Sequence, residues 1–66
     1  MHLTVNGEPY ELPGSPTVGA LLVTYGADRA RSAVLVGDEV VRAPTWDTFV
    51  LSEGDKVEIV TFAGGG

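Results

Sequence analysis

Three glycines, Gly64, Gly65 and Gly66, follow directly on the strand-like run DKVEIVTFA, and no further element comes after them that needs a turn. A phosphate-cradling loop requires a helix and a lysine downstream, and this stretch has neither. Three extended residues reach about 10 Å. Lacking side chains, they fit a slot that admits only backbone. At their end stands a carboxylate, whose ordinary pKa is about 3.5 and which is therefore an anion near neutrality. An anion is a poor electrophile, so an acyl carrier built on this group needs a partner to activate it, for which a mixed anhydride with a nucleotide is the natural form. The opposing reading is an incidental glycine end, and it predicts that Gly66 is dispensable.

The remaining residues hold less chemistry. His2 is the sole histidine and falls at the start of the first strand, where an exposed strand residue is the simplest reading. Asp38 with Glu39, and Glu53 with Asp55, are acidic pairs that bracket glycine turns, which suits solvated turn residues better than an acid/base pair or a magnesium site. No serine, histidine and acid are spaced as a nucleophilic set, and the chain has no cysteine. Neither a disulfide nor a cysteine-ligated metal site is available. Arg29, Arg31, Arg42 and Lys56 are too few and too dispersed for a nucleic-acid stripe.

The formal charge of −5 reinforces that last point, because phosphate neutralisation supplies most nonspecific nucleic-acid affinity. Sixty-six residues make one small domain. Such a chain buries only about 60% of its unfolded surface, and the 44% hydrophobic fraction must form a single efficient core. No apolar run approaches the roughly 20 residues of a membrane span. MHLTVNG lacks the basic-then-apolar pattern of a secretory leader, and a cytoplasmic location is expected.

The elements that must position the glycines follow from periodicity. HLTVNGEPYEL reads as a hairpin, with Leu3 and Val5 on one face and Asn6-Gly7 as a turn that tolerates positive φ. Pro9 suits an edge strand. Thr17 is a candidate N-cap without a full capping box, because Ala20 stands where an acid is wanted. Val18, Leu21, Leu22 and Tyr25 share one helical face, and Gly26 is a natural stop. The helix is short, with Gly19 near its start, and GADRARS after it is loosely specified. SAVLVGDEVV predicts two strands turned at Gly37-Asp38, ended by Pro44. TWDTFVL predicts an irregular helical turn from Thr45, anchored by Trp46 and Phe49. In the last strand Val57, Ile59 and Thr61 face one way and Glu58, Val60 and Phe62 the other, as in a central strand. That strand is expected parallel to the first, with the helix crossing over one sheet face.

Together the strand and NG turn at Val5–Gly7, TVGALL, VGDEVVRAPTW and EGDKVEIVTFAGGG resemble the ubiquitin-like sulfur carrier proteins of thiamine biosynthesis, the ThiS/MoaD family. The resemblance covers essentially the whole chain. It implies an α+β, β-grasp fold, a mixed sheet of four to five strands packed against one main helix. The domain would span residues 1–63 and a flexible glycine tail 64–66. It further implies a carrier, not an enzyme. Gly66 would be adenylated with ATP by a ThiF-like enzyme and converted to a thiocarboxylate by sulfur from a cysteine desulfurase relay. That sulfur would then pass to a ThiG-like thiazole synthase. Gly64 and Gly65 would enter the partner's active site, and Phe62, at the globule's edge, would dock the partner. No bound cofactor, metal, nucleic acid or membrane is implied. Molybdopterin synthesis and protein modification are the alternative uses of the same tail chemistry.

Overall fold

The computed structural model describes residues 1–62; the tail expected at 64–66 lies outside the described residues. Strands β1 (His2–Val5) and β2 (Glu8–Glu11) pair antiparallel across a two-residue turn. Asn6 and Gly7 both hold positive φ, 52° and 83°, the turn geometry that matches the twist of the flanking strands. Pro9 lies in β2, which is an edge of the sheet and so needs no amide there.

Helix α1 runs Val18–Tyr25. Its orphan N-terminal amides are satisfied from two sides. Thr17 Oγ1 accepts from the Ala20 amide at 3.2 Å. The Val18 and Gly19 amides donate to the carbonyls of Phe49 and Trp46 at 3.1 and 2.9 Å. Gly26 ends the helix in the left-handed region, φ 85°. The loosely specified GADRARS segment contains a 3₁₀ turn, Arg29–Arg31, whose Ala30 amide donates to Asp28 Oδ1.

Strands β3 (Ser32–Val36) and β4 (Glu39–Val41) form the second antiparallel pair, and β5 (Lys56–Thr61) completes a five-stranded sheet in the order β2-β1-β5-β3-β4. As expected, β5 is central and parallel to β1; it is antiparallel to β3. One helix on one face of this mixed sheet is the β-grasp arrangement. A 3₁₀ turn at Ala43–Thr45 precedes the helical turn expected from Thr45, in which the Thr48 and Phe49 amides donate to the Thr45 carbonyl at 3.1 and 2.8 Å. Pro44 is accommodated inside the 3₁₀ turn, because proline's fixed φ and missing amide suit the first turn of a helix.

The core is a single layer between sheet and helix. Leu3, Val5, Val34, Val41, Val57 and Ile59 descend from the sheet onto Val18, Leu21 and Leu22 of α1. Leu12, Trp46 and Leu51, from the connecting segments, close its margins. Each fully buried aliphatic contributes about 1.5–3 kcal/mol. Trp46 also donates through Nε1 to the Val41 carbonyl at 2.7 Å, fixing the end of β4 over the core. Tyr25, expected on the buried helical face, is 40% exposed, because it lies at the last helical position. No helix among the described residues is long and apolar enough to cross a membrane.

Candidate functional site: the end of β5 and the outer sheet face

The strand that leads to the glycines is held on both sides nearly to its end. On one side β5 pairs with β3 from Val36↔Val57 to Ser32↔Thr61, and the Phe62 amide adds a last bond to the Arg31 carbonyl at 2.7 Å. On the other side the pairing with β1 reaches only Val5↔Val57, because the chain turns away at Asn6. The Asn6 side chain takes over from there. The Ile59 amide donates to Asn6 Oδ1 at 2.8 Å, and Asn6 Nδ2 donates to the Ile59 carbonyl at 3.1 Å. One carboxamide thus substitutes for the next backbone pair of the ladder. Sequence periodicity identified Asn6 only as a turn residue, since a side chain reaching a residue 53 positions away leaves no local signal.

Alternation along the strands sorts the site residues onto two faces. With Val57 and Ile59 buried under α1, Glu58, Val60 and Phe62 lie on the face away from the helix. Val60 is 43% exposed and Phe62 55%. Register places Ala33 of β3 beside Val60, and Leu35 beside Val40 of β4, which is 63% exposed. The apolar part of the outer face therefore covers β4, β3 and the end of β5. The β1–β2 half carries His2, Thr4, Pro9 and Glu11 instead. Val40 and Val60 were not among the residues singled out from sequence, although the near-continuous apolar character of both strands was the available signal.

The other candidates are absorbed by structure. His2 is exposed, with Nδ1 2.7 Å from Glu11 Oε1. The Met1 ammonium donates to Glu11 Oε2 at 2.8 Å, which holds the Glu11 carboxyl below its ordinary range and the ammonium above its own. Glu53 accepts from the His2 amide and Asp55 from the Ser52 amide, as turn residues do. Arg29 makes a two-pronged bridge to Asp47 at 2.9 and 3.2 Å and lies over the Trp46 ring. That hydrogen-bonded guanidinium holds the Asp47 carboxyl below the usual carboxylate range. A shallow groove is lined by Val5, Asn6, Tyr10 and Tyr25 among others. Its phenols are already engaged, Tyr10 donating to Thr24 and Tyr25 accepting from Asn6. Among the described residues no group of three or more His, Cys, Asp or Glu side chains could hold a metal ion. Gly64, Gly65 and Gly66 lie outside the described residues, whereas Phe62, the last described residue, stands exposed where β5 leaves the sheet.

A family model described as the ThiS family matches residues 3–66, a span that includes all three terminal glycines. The chain belongs to the ThiS family. Among solved structures similar to it is the crystal structure of the thiamine biosynthesis protein ThiS from Geobacter metallireducens. That chain is 35% identical, with a TM-score of 0.81, and the match covers the whole of both chains. A solution structure of a thiamine biosynthesis protein from the same organism matches with a TM-score of 0.77 over 88% of its length. Two curated relatives are thiazole synthases. The one from Paramagnetospirillum magneticum is 41% identical and the one from Magnetococcus marinus 36%, over all 66 residues of this chain. The ThiS-family chain spans about a fifth of the length of these two relatives, 20% of each.

Proposed function

We propose that this ThiS-family chain is a sulfur carrier for thiazole formation in thiamine biosynthesis, working in the cytoplasm with Gly66 as the reacting residue. The carrying observation is a family match that runs through residue 66 on a domain whose central strand leads directly toward the glycines. A ThiF-like enzyme joins the Gly66 carboxylate to AMP from ATP, with loss of pyrophosphate. A persulfide of the cysteine desulfurase relay then displaces AMP to give an acyl disulfide, and a second thiol cleaves its S–S bond, forming a disulfide with the relay and releasing the thiocarboxylate. A ThiG-like thiazole synthase accepts that sulfur. Gly64 and Gly65 carry the reacting end into the partner's slot, and Phe62 meets the partner at its mouth. The domain acts as a handle, and its activating chemistry belongs to the partner. The thiazole synthase relatives favour the thiazole acceptor over a molybdopterin precursor or a protein lysine.

The test is the intact mass of the chain after incubation with the activating enzyme, ATP and a sulfur source, beside a variant lacking Gly66. A gain equal to one oxygen exchanged for sulfur, absent from the variant, is the expected result. An unchanged mass with an enzyme that adenylates its own carrier overturns the reading.

A further inference from the structure

On the foundation of that carrier reading, we infer that Arg42 is a specificity-determining contact for the activating enzyme, pairing with a carboxylate at the rim of the socket that receives the outer sheet face. The inference rests on where the chain places its cations. Val41 is buried and Val40 exposed, so Arg42, extended at φ −75°, ψ 144°, follows Val40 onto the outer face. Continuing the β3–β4 register from Val34↔Val41 places Arg42 beside Ala33, which itself pairs with Val60. Arg42 is exposed and forms no ion pair among the described residues, although acidic residues outnumber basic ones nine to four in this chain. Arg29 is occupied by Asp47 at 2.9 Å, and Arg31 has Asp28 at 3.9 Å; Lys56, also exposed and without an ion pair among the described residues, stands beside Thr4 at the start of β5, away from Val60.

Its base is also rigid. The Trp46 indole holds the Val41 carbonyl, and the Thr45 amide and hydroxyl both donate to the Arg42 carbonyl at 2.9 and 2.8 Å. An arginine on a fixed stem at the margin of an apolar patch is the arrangement that pairs with carboxylates in protein interfaces, because its planar fork loses little freedom on binding. A nucleotide phosphate is a poorer match. Arg42 stands two strands from β5, about 10 Å away, whereas a tail drawn out into a slot moves the Gly66 carboxylate up to about 14 Å beyond Phe62. The activating enzyme is the occupant because it must recognise the carrier while the tail is still unmodified. In an acidic chain, a cation beside Ala33 and Val40, with Lys56 at the opposite end of the face, sets the orientation in which the two surfaces attract.

The experiment compares Arg42→Glu, Arg42→Lys and the unmodified chain in association with the activating enzyme at low and high salt, with the intact-mass assay run alongside. Association of Arg42→Glu is expected to slow by about tenfold at low salt and to lose most of its salt dependence, the behaviour of a rim charge. Arg42→Lys retains the charge and the salt dependence. Thermal melts of all three are expected to coincide, since the Arg42 side chain makes no ion pair within the domain. Equal association rates and salt slopes for the Glu variant overturn the role of Arg42 while thiocarboxylate formation leaves the carrier reading standing. Failure of the unmodified chain to form thiocarboxylate overturns both.

Discussion

Replacing Asn6 tests whether one side chain secures the strand that leads to the tail. Asn6 does two separable things: it holds φ at 52°, and it pairs both backbone groups of the buried Ile59. Asn6→Gly keeps the left-handed backbone and removes only the side-chain bonds. The two hydrogen bonds to Ile59 at about 0.5–1.5 kcal/mol each put the loss at about 1–3 kcal/mol, and the exposed bond to the Tyr25 hydroxyl adds little. Asn6→Ala loses the same bonds and also asparagine's tolerance of the left-handed region, where an alanine, unlike a glycine, costs about 1–2 kcal/mol. A 66-residue domain has a total stability of only about 3–10 kcal/mol. With a urea slope of about 1 kcal/mol per molar, the glycine variant unfolds roughly 1–3 M earlier and the alanine variant a further 1–2 M earlier. Trp46, the sole tryptophan and buried, reports the transition by fluorescence. The Ile59 amide should also exchange with deuterium faster in both variants than the amides of β3. A glycine variant as stable as the original chain would refute the pairing role, and equal glycine and alanine variants would refute the strain assignment.

Other outcomes follow from the packing around α1. A Cβ on Gly19 meets the Asp47 carboxylate first, and that is the free end of an exposed side chain. Gly19→Ala should therefore expel Asp47 from Arg29 yet leave the urea midpoint nearly unchanged, because the helix gains about 1 kcal/mol of propensity and exposed ion pairs contribute little. A large loss would show that the Arg29–Asp47 bridge organises the segment. The pH dependence has a definite sign. The folded Asp47 carboxyl lies below its ordinary 3.8, so its contribution is present above that pH and is lost as pH falls through the depressed folded value. Urea midpoints taken in acid should accordingly fall less steeply for Asp47→Asn than for the original chain, and parallel curves would contradict the bridge. Trp46→Phe removes one hydrogen bond to the Val41 carbonyl, which β3 still pairs, at a cost of about 0.5–1.5 kcal/mol. A melt followed by circular dichroism should drop by about 4–8 °C for each kcal/mol, and an unchanged melt would remove Trp46 from its role in fixing β4.

The parts of the fold that were legible in the sequence are those written in local chemistry. Asn6-Gly7 specifies a two-residue hairpin because both residues accept positive φ, and Thr17 and Gly26 bound α1 by capping at each end. The position of β5 was legible too, since a strand apolar on both faces belongs inside a sheet. What stayed hidden depends on distant partners. The shortness of α1 and its Gly19 looked like weakness. The structure shows Gly19 leaving room for Asp47, which meets Arg29 from beyond the helix, while the carbonyls of Trp46 and Phe49 cap the first helical turn. The turn from Thr45 is present, but the 3₁₀ turn of residues 43–45 before it stayed hidden, because Pro44 ends a strand and its fixed φ equally permits it to open a helical turn.

The candidate site shows the same division with a different consequence. The pattern of β5 is that of a central strand apolar on most of both faces, yet only Val57 and Ile59 are covered, by α1. Val60 and Phe62 are apolar for a reason that the core does not supply, and Val40 joins them from β4. Alternation in a strand states which residues share a face, but it cannot state whether that face is closed by the chain itself. Here the helix closes one face and leaves the other open next to the root of the tail. The proposed carrier role, in which the reacting group enters another protein, calls for a surface that the partner completes, and the residues that periodicity assigned to a central strand are the ones left to form it.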